Sequence, residues 1–434
     1  MTTTTVGHNP DQARQDARRG ERYRARHVVW DLAPQGRTDH LKAVRKCGRV
    51  RRTDGGVKVM VSQSPDGTRV GGFSGLSSCG SVWACPVCSA KIAARRQQDI
   101  AKALAAWHVL GGRVAILTLT MRHNRGQRLK TLWDGLSSAW NAVGSGRAWK
   151  SDQVSYGQPF ERTVKTGKRA GQVVSEFRIP SIRVVEVTHG PSGWHVHVHA
   201  LLFLPPQTSQ EQCEALGKRM FERWSRDLVA SGFAAPEGKR IWDPIRREWV
   251  IPGWDCRRLN GDPAAALGEY FTKAVYSASM ESARGDLKDA KGGNRTPFGI
   301  LHALVIARTG ELSRDEVPVI TDDDEALWAE WEEWSKGRRQ VAWSPGLRAM
   351  LLPDEPVELT DEEIAAEEAG GDAVAEIEPG TWRQIARRRA DWLILAAFVR
   401  GNRQGWEALA PFVEWADQEE RAQAADRARW KTRT

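Results

Sequence analysis

The strongest fold signal in this chain is His195-Val196-His197-Val198-His199, which continues into the apolar Ala200-Leu201-Leu202-Phe203-Leu204. Gly190-Pro191-Ser192-Gly193 precedes it and Pro205-Pro206 follows it, so this apolar run is typical of a buried β-strand. Side chains alternate across a strand, which places all three histidines on one face and both valines on the other. Three imidazoles side by side predict a divalent-metal site, and a solvated polar face is the alternative.

The segment before this strand predicts a further metal ligand. Ile182-Arg183-Val184-Val185-Glu186-Val187-Thr188 has strand character, and the short Gly/Pro turn after it predicts a hairpin with the histidine strand. If Val185 and Val187 pack in the core, Glu186 and Thr188 lie on the histidine face. A carboxylate opposite His197 then completes a mixed nitrogen and oxygen site. A register slip of one residue would remove Glu186 from that face.

Four cysteines upstream predict a structural zinc site. Cys85 and Cys88 form a CxxC knuckle, and Cys79 and Cys47 supply two further thiols for a tetrahedral site. Because the gap between Cys47 and Cys79 is long, His40 is an alternative to Cys47 as the fourth ligand. A thioredoxin-like redox pair is the competing interpretation, but it requires a βαβ context that this Gly-rich segment lacks.

Length and charge favour a soluble multidomain protein with an anionic partner. The chain has 434 residues, enough for two or three domains, and a formal net charge of +10. Residues 321–378 contain 4 Lys/Arg and 18 Asp/Glu, a local charge of −14, so the remainder carries +24. A basic body favours nucleic acid as the partner, although an Arg-rich composition also reflects a GC-rich genome.

The sequence predicts a cytoplasmic location. It contains neither a secretory signal nor an uninterrupted apolar run long enough to span a membrane. Six cysteines in such a chain indicate metal ligands or free thiols rather than a disulfide framework.

The order of the other elements predicts an α+β fold. A β-branched strand at 114–120 is followed by helices at 129–143, 209–231 and 264–279. With the hairpin, this order fits a ferredoxin/RRM-like open antiparallel sheet with helices on one face. Residues 144–180 are an excursion from the sheet, predicted either as a basic hairpin that contacts DNA phosphates or as an ordinary solvated insertion.

The two ends of the chain differ from this centre. Residues 1–26 are polar and charged, which predicts poor order. Residues 353–380 are acidic and rich in Ala and Gly, which predicts a linker. The end of the chain, 381–430, has helical spacing, and its tryptophans are predicted to lie in the core.

Several of these motifs occur together in one known family. The strand 116–120, the stretch Glu186-Val187-Thr188, the strand His197-Val198-His199-Ala200-Leu201-Leu202 and a later Tyr270-Phe271-Thr272-Lys273 resemble the HUH endonuclease superfamily. The specific resemblance is to the rolling-circle replication initiators, or Rep proteins, of actinobacterial plasmids and integrative elements. The Cys79–Cys88 stretch and Thr296-Pro297-Phe298 look like this actinobacterial branch, and the resemblance covers about residues 45–350.

The resemblance implies a site-specific endonuclease and strand transferase that acts on single-stranded DNA. Tyr270, assisted by Lys273, would attack the scissile phosphate and leave a 5′-phosphotyrosine and a 3′-hydroxyl that primes synthesis. The partners implied are origin DNA, as a duplex and as a single strand or hairpin, and a host polymerase. A host helicase is implied as well, because the chain contains no P-loop motif.

Two metals are expected on the same basis. His197 and His199, with Glu186 or His195, would hold catalytic Mg²⁺ or Mn²⁺. A structural Zn²⁺ would be held by the thiols of a separate group, namely Cys47, Cys79, Cys85 and Cys88.

Tyr270 is the preferred nucleophile among the four tyrosines of the chain. Tyr23 lies in the polar N-terminal arm and Tyr156 in the Gly-rich insertion, and neither segment is a rigid support. Tyr270 and Tyr276 share a predicted helix but project about 240° apart, so only one of them faces a given metal. Lys273 shares the face of Tyr270.

Two departures from the family pattern leave questions open. Some related initiators carry a glutamate one helical turn before the nucleophile, where this chain has Ala266, and Glu269 projects about 100° away. His195 extends the usual histidine pair to three.

Conjugative relaxases and transposases of the same superfamily are the alternative function, although relaxases usually carry the tyrosine before the histidines. A non-catalytic zinc-containing DNA-binding regulator and an unrelated metallohydrolase are further alternatives.

These observations predict six regions. They are a polar N-terminal arm at 1–44, a zinc-binding segment at 45–110, an HUH catalytic domain at 111–285, a C-terminal extension of the initiator at 286–352, an acidic linker at 353–380 and a mostly helical C-terminal region at 381–434.

Overall fold

The computed structural model of the protein describes most of the chain. The described residues are 10–32, 41–64, 67–163, 166–168, 170–236, 241–243, 248–250, 253–259, 294–309, 323–368 and 370–431. The predicted helix at 264–279, with Tyr270, Lys273 and Tyr276, lies outside these residues, as does His40.

The described elements form a mixed α+β structure. The strands are β1 (Val57–Gln63), β2 (Arg69–Ser74), β3 (Arg113–Thr120), β4 (Gln158–Thr163), β5 (Val173–Arg178), β6 (Ser181–Gly190), β7 (Gly193–Leu204), β8 (Ile241–Asp243), β9 (Glu248–Val250), β10 (Trp254–Arg258), β11 (Val341–Trp343) and β12 (Asp372–Ile377). The helices are α1 (Pro10–Asp31), α2 (Leu41–Lys46), α3 (Pro86–Val109), α4 (Leu129–Val143), α5 (Gly146–Tyr156), α6 (Gln210–Ala230), α7 (Pro297–Thr309), α8 (Asp324–Ser335), α9 (Leu347–Leu351), α10 (Asp361–Ala366), α11 (Pro379–Arg387), α12 (Asp391–Arg400) and α13 (Asn402–Lys431). None of these described helices is long and apolar enough to cross a membrane.

The largest sheet has five strands in the order β10-β3-β7-β6-β11, and neighbouring strands run antiparallel. β6 and β7 form the predicted hairpin. Its turn requires glycine at Gly193, whose φ is +88° and where a Cβ would lie 3.0 Å from the Cα of Arg125. The histidine strand is therefore the centre of the sheet, with a partner on each side.

Helices cover both faces of this sheet, so the prediction of helices on one face is wrong. On the first face, the valines of β6 and β7 pack with α4, α6 and α8. On the second face, which carries the histidines, α3 packs over the other end of β7, where Trp107 meets Phe203 edge to face at 5.6 Å. The physical reason lies in β7 itself, because its apolar end has Leu201 and Phe203 on the histidine face, and these need cover as well.

The N-terminal region contains a packed helix rather than a poorly ordered arm. In α1 the C-terminal half is buried, with Tyr23, Val29 and Trp30 each at most 8% exposed. The buried guanidinium of Arg26 forms an ion pair with Asp391 at the start of α12, so this helix joins the N-terminal and C-terminal regions.

Residues 353–380 are also structured, so the prediction of an unstructured linker is wrong. α10 begins with a capping box on Thr360, and β12 pairs antiparallel with β1 in a second sheet of order β12-β1-β2. Ile364 and Ile377 are each 1% exposed. An acidic composition suggested a linker, but two buried isoleucines and a backbone ladder are enough to fix the segment.

The C-terminal region is helical, as predicted. α11, α12 and α13 pack on the second sheet through buried residues such as Ile385, Leu395 and Phe398. The expectation that its tryptophans lie in the core is met by Trp382, which is 2% exposed, whereas Trp406 is 49% exposed.

The excursion at 144–180 contains α5, which was not predicted, and an antiparallel hairpin of β4 and β5, which was one of the two alternatives predicted for it. Contact of this hairpin with DNA stays a prediction.

Replacement of Ile377 by alanine tests whether β12 belongs to the folded body. Ile377 stands opposite Val57, and removing its buried atoms should lower the free energy of unfolding by about 2–5 kcal/mol. The matched control is Val357→Ala in the same segment, where the side chain is 74% exposed and little change is expected. Equal effects of the two changes in chemical denaturation would contradict this packing.

Candidate metal centres

The first candidate centre is formed by the pairing of β6 with β7. In this register Glu186 stands opposite His197, and the core-facing valines are at most 5% exposed. One carboxylate oxygen of Glu186 lies 2.9 Å from Nε2 of His197 and 3.0 Å from Nε2 of His199. The three ligand atoms lie within 4.8 Å of one another, with both histidines buried and Glu186 half-buried.

The donor set of this cluster fits a divalent ion. Two imidazole nitrogens and a carboxylate oxygen suit Mn²⁺, Zn²⁺ or Mg²⁺, and three protein ligands leave positions for water or substrate. The cluster is therefore a candidate metal centre.

The charge states of this cluster suit metal binding at neutral pH. Burial by itself would raise the pKa of Glu186, but the charges and hydrogen bonds of His197 and His199 outweigh it and hold the pKa well below its usual range. Burial lowers the pKa of His199. The carboxyl is therefore ionised and His199 neutral at pH 7, and these are the forms that bind a metal.

Thr118 on β3 orients one ligand. It stands opposite His199, and its hydroxyl lies 3.0 Å from Nδ1 of that ring, on the far side from Glu186. A hydroxyl can donate to or accept from Nδ1, so it supports Nε2 as the metal-facing nitrogen in either tautomer. Thr118 lay within the strand that the sequence singled out, but the pattern assigned it no role.

His195 lies beside the cluster rather than in it. Its ring stacks on His123, with centroids 4.9 Å apart, and its centroid is 4.8 Å from that of His197. Burial, followed by the nearby charges of His197 and His123, lowers the pKa of His195 to about 3. His123 was missed by sequence reasoning, although its place three residues after β3 puts it next to the start of the antiparallel β7.

The second candidate centre brings together four thiols. The Sγ atoms of Cys47 and Cys88 are 3.4 Å apart, those of Cys47 and Cys85 3.6 Å, and those of Cys79 and Cys88 3.7 Å. Four thiolates on a tetrahedral zinc would be about 3.8 Å apart. The thiols are too far apart for a disulfide, and Cys47 occupies the position for which His40 was the alternative.

The four thiols share hydrogen bonds that favour negative charge on one of them, Cys47, while these bonds and burial raise the pKa of Cys79 and Cys85. Shared hydrogen bonds with the other three thiols lower the pKa of Cys47. The backbone N–H of Ser81 donates to Sγ of Cys79 at 3.5 Å. Cys213 and Cys256 are buried elsewhere, between α6 and β10.

Comparison with known proteins decides the family. A family model described as a replication protein matches residues 77–216. Protein rep of Streptomyces lividans is 32% identical over 363 residues, covering 77% of this chain and 77% of that protein. The chain belongs to the Rep family of replication proteins.

The matched part of the Rep family contains most of both candidate centres. Residues 77–216 include Glu186, both histidines of the first cluster and three of the four thiols, whereas Cys47 and Tyr270 lie outside them. A protein named neomycin resistance protein, from Streptomyces cyanogenus, is 29% identical over 228 residues, or 48% of each chain. No solved structure matches this chain at a significant level.

Replacement of Thr118 by valine tests how the first cluster is held. The change keeps the shape of the side chain but removes the hydroxyl on His199, so affinity for Mn²⁺ should fall about tenfold or more. The matched control is Thr120→Val, because Thr120 bonds to the carbonyl of Gly253 instead of to a histidine. Calorimetric titration with Mn²⁺ measures both affinities, and an unchanged affinity in Thr118→Val would rule out this supporting role.

Proposed function

We propose that this Rep protein initiates rolling-circle replication by binding origin DNA and nicking one strand through a covalent tyrosine intermediate. The observation that carries the proposal is the single carboxylate oxygen of Glu186 within 3.0 Å of Nε2 of both His197 and His199. Membership of the Rep family supports a role in replication, and the cluster supplies a site for the metal that nicking requires.

The Glu186 cluster would hold the catalytic ion, Mg²⁺ or Mn²⁺. When bound, this ion supplies Lewis acidity to the scissile phosphate. His197 and His199 bind it in their neutral forms, Glu186 contributes the negative charge, and Thr118 fixes the orientation of His199. His195, stacked on His123, covers the side of the cluster and keeps its ring packed against His197.

Tyr270 is our candidate for the nucleophile, with Lys273 beside it. The phenolate oxygen would attack phosphorus, the 3′-oxygen would leave and take up a proton, and the products would be a 5′-phosphotyrosine and a free 3′-hydroxyl. A free phenol has a pKa near 10, and the nearby ammonium of Lys273 would favour its ionised form. The order of the motifs along the chain, with the histidines before the tyrosine, supports this assignment over a relaxase.

The four-thiol centre would hold a structural Zn²⁺ and take no part in the chemistry. Its ligands are all thiols, which leaves no open position for a substrate, and this is the donor set of structural zinc sites. Origin DNA would be the partner of the basic body, while a host polymerase and helicase would extend and unwind the nicked strand.

The decisive experiment replaces Tyr270 by phenylalanine, which keeps the ring and removes only the attacking oxygen. The wild-type protein should form an adduct with labelled origin DNA that survives denaturing electrophoresis with Mn²⁺ present. Tyr270→Phe should bind the same DNA with unchanged affinity and form no adduct, because affinity comes mainly from basic contacts to phosphates.

Tyr276→Phe is the matched control, since it removes the same atom elsewhere on the predicted helix and should leave the adduct intact. An adduct that persists in Tyr270→Phe and disappears in Tyr276→Phe would transfer the role to Tyr276. A wild-type protein that nicks origin DNA without any adduct would exclude the tyrosine mechanism.

A further inference from the structure

Arg183 is a partly buried cation for which the described part of the chain provides no acidic partner. It lies on β6 opposite Ala200 and Ala342, so its side chain points to the sheet face opposite the histidines. One guanidinium nitrogen donates to the carbonyl of Arg339 at 3.2 Å, while Nε is fully buried and has no hydrogen-bond partner. Among the described residues, no carboxylate pairs with Arg183.

This arrangement is electrostatically unfavourable in the free protein. Burial lowers the pKa of Arg183, and the like charge of Arg339 lowers it further. An arginine stays protonated even so, and a buried charge is normally paired because the loss of hydration must be offset. Elsewhere in the described chain buried arginines follow this rule, as Arg26 does with Asp391 and Arg348 with Asp99.

Arg183 lines a cleft of about 610 Å³ between the excursion at 144–180 and the edge strand β11. Trp140 and Trp149 contribute partly exposed indoles to its walls. The acidic side chain in the lining, Glu176, is already engaged by Arg178 at 2.5 Å.

The chemistry of the cleft indicates its ligand. A buried N–H on a cation, without a hydrogen-bond partner among the described residues, suits an oxygen of a phosphate. Indole faces next to a cation are the surface on which unpaired nucleobases stack. An anion alone would not use the tryptophans, and an apolar ligand would leave Arg183 uncompensated.

We propose that this cleft binds a nucleotide of single-stranded DNA, with its phosphate on Arg183 and its base against the indoles. It is a DNA contact separate from the Glu186 cluster, because the two lie on opposite faces of the sheet. The proposal rests on the proposed function only in taking DNA as the ligand.

The test compares the binding of a labelled oligothymidylate by full-length variants, without added divalent ions. Arg183→Gln should weaken binding about tenfold, as expected for the loss of a charged hydrogen bond. It should also reduce the slope of log affinity against log salt by about 0.7, the value for one phosphate contact on a single strand. Arg183→Lys should recover part of the affinity, because it restores the positive charge.

The matched control is Arg403→Gln, which removes the same charge from an arginine whose side chain is 87% exposed in α13. It should leave affinity and salt slope unchanged. Thermal unfolding separates binding from folding: Arg183→Gln should not lower the melting temperature, because it removes an uncompensated charge.

Three results would overturn the proposal. One is equal binding by Arg183→Gln and Arg403→Gln. Another is a lower melting temperature with unchanged affinity, which makes Arg183 structural. The third is binding of free mononucleotide by the protein without any binding of the oligonucleotide. If Arg183→Gln binds the oligonucleotide as tightly as the wild-type protein does, while the wild-type protein nicks origin DNA and forms the adduct, only this proposal fails and the proposed function stands.

Discussion

The register between β6 and β7 is the constraint on which the candidate site depends. A slip of one residue would turn Glu186 to the opposite face and leave two histidines without a carboxylate. The slip is prevented because the same shift would expose Val185 and Val187, which are now 1% and 5% exposed in the core, and would misplace Gly193 in the turn. The packing of the apolar face of the hairpin therefore fixes the register, and the register sets the positions of the metal ligands on the other face. The core valines thus hold the ligands in place without contacting them.

The four-thiol centre and the histidine cluster are connected through α3. That helix begins at Pro86, directly after Cys85, so the thiols fix where it starts. Its far end packs on Phe203 of β7, the strand that carries the histidines. The thiol centre also connects α1 with α2. Trp30 of α1 donates a hydrogen bond to the carbonyl of Cys47, the thiol residue that directly follows α2, at 3.1 Å. Loss of a metal from the thiols should therefore loosen the helix that covers the histidine face, without touching a ligand of the first cluster.

Local patterns could be predicted from sequence, and contacts between distant segments could not. Alternation in β7 gave the histidine face, and the valines of β6 gave the position of Glu186 because both follow from strand geometry. The cover of α3 over Phe203, the burial of Tyr23 and the pairing of β12 with β1 join residues far apart in the chain. An Arg-rich helix and an acidic Ala/Gly segment look solvated when only their composition is considered. Thr118 and His123 were missed because their partners are set by the pairing of β3 with β7, which the sequence does not specify.

The two centres differ in donor chemistry, and their metals should differ in the same way. Thiolates select zinc, whereas a carboxylate with two imidazoles accepts Mn²⁺ while leaving room for a phosphate oxygen. Anomalous diffraction from crystals grown with Mn²⁺, recorded at the zinc and manganese edges, measures this directly. We predict a zinc peak among Cys47, Cys79, Cys85 and Cys88 and a manganese peak between Glu186, His197 and His199. The absence of a manganese peak at the histidines, or its appearance only at the thiols, would contradict the assignment of the Glu186 cluster as the catalytic metal centre.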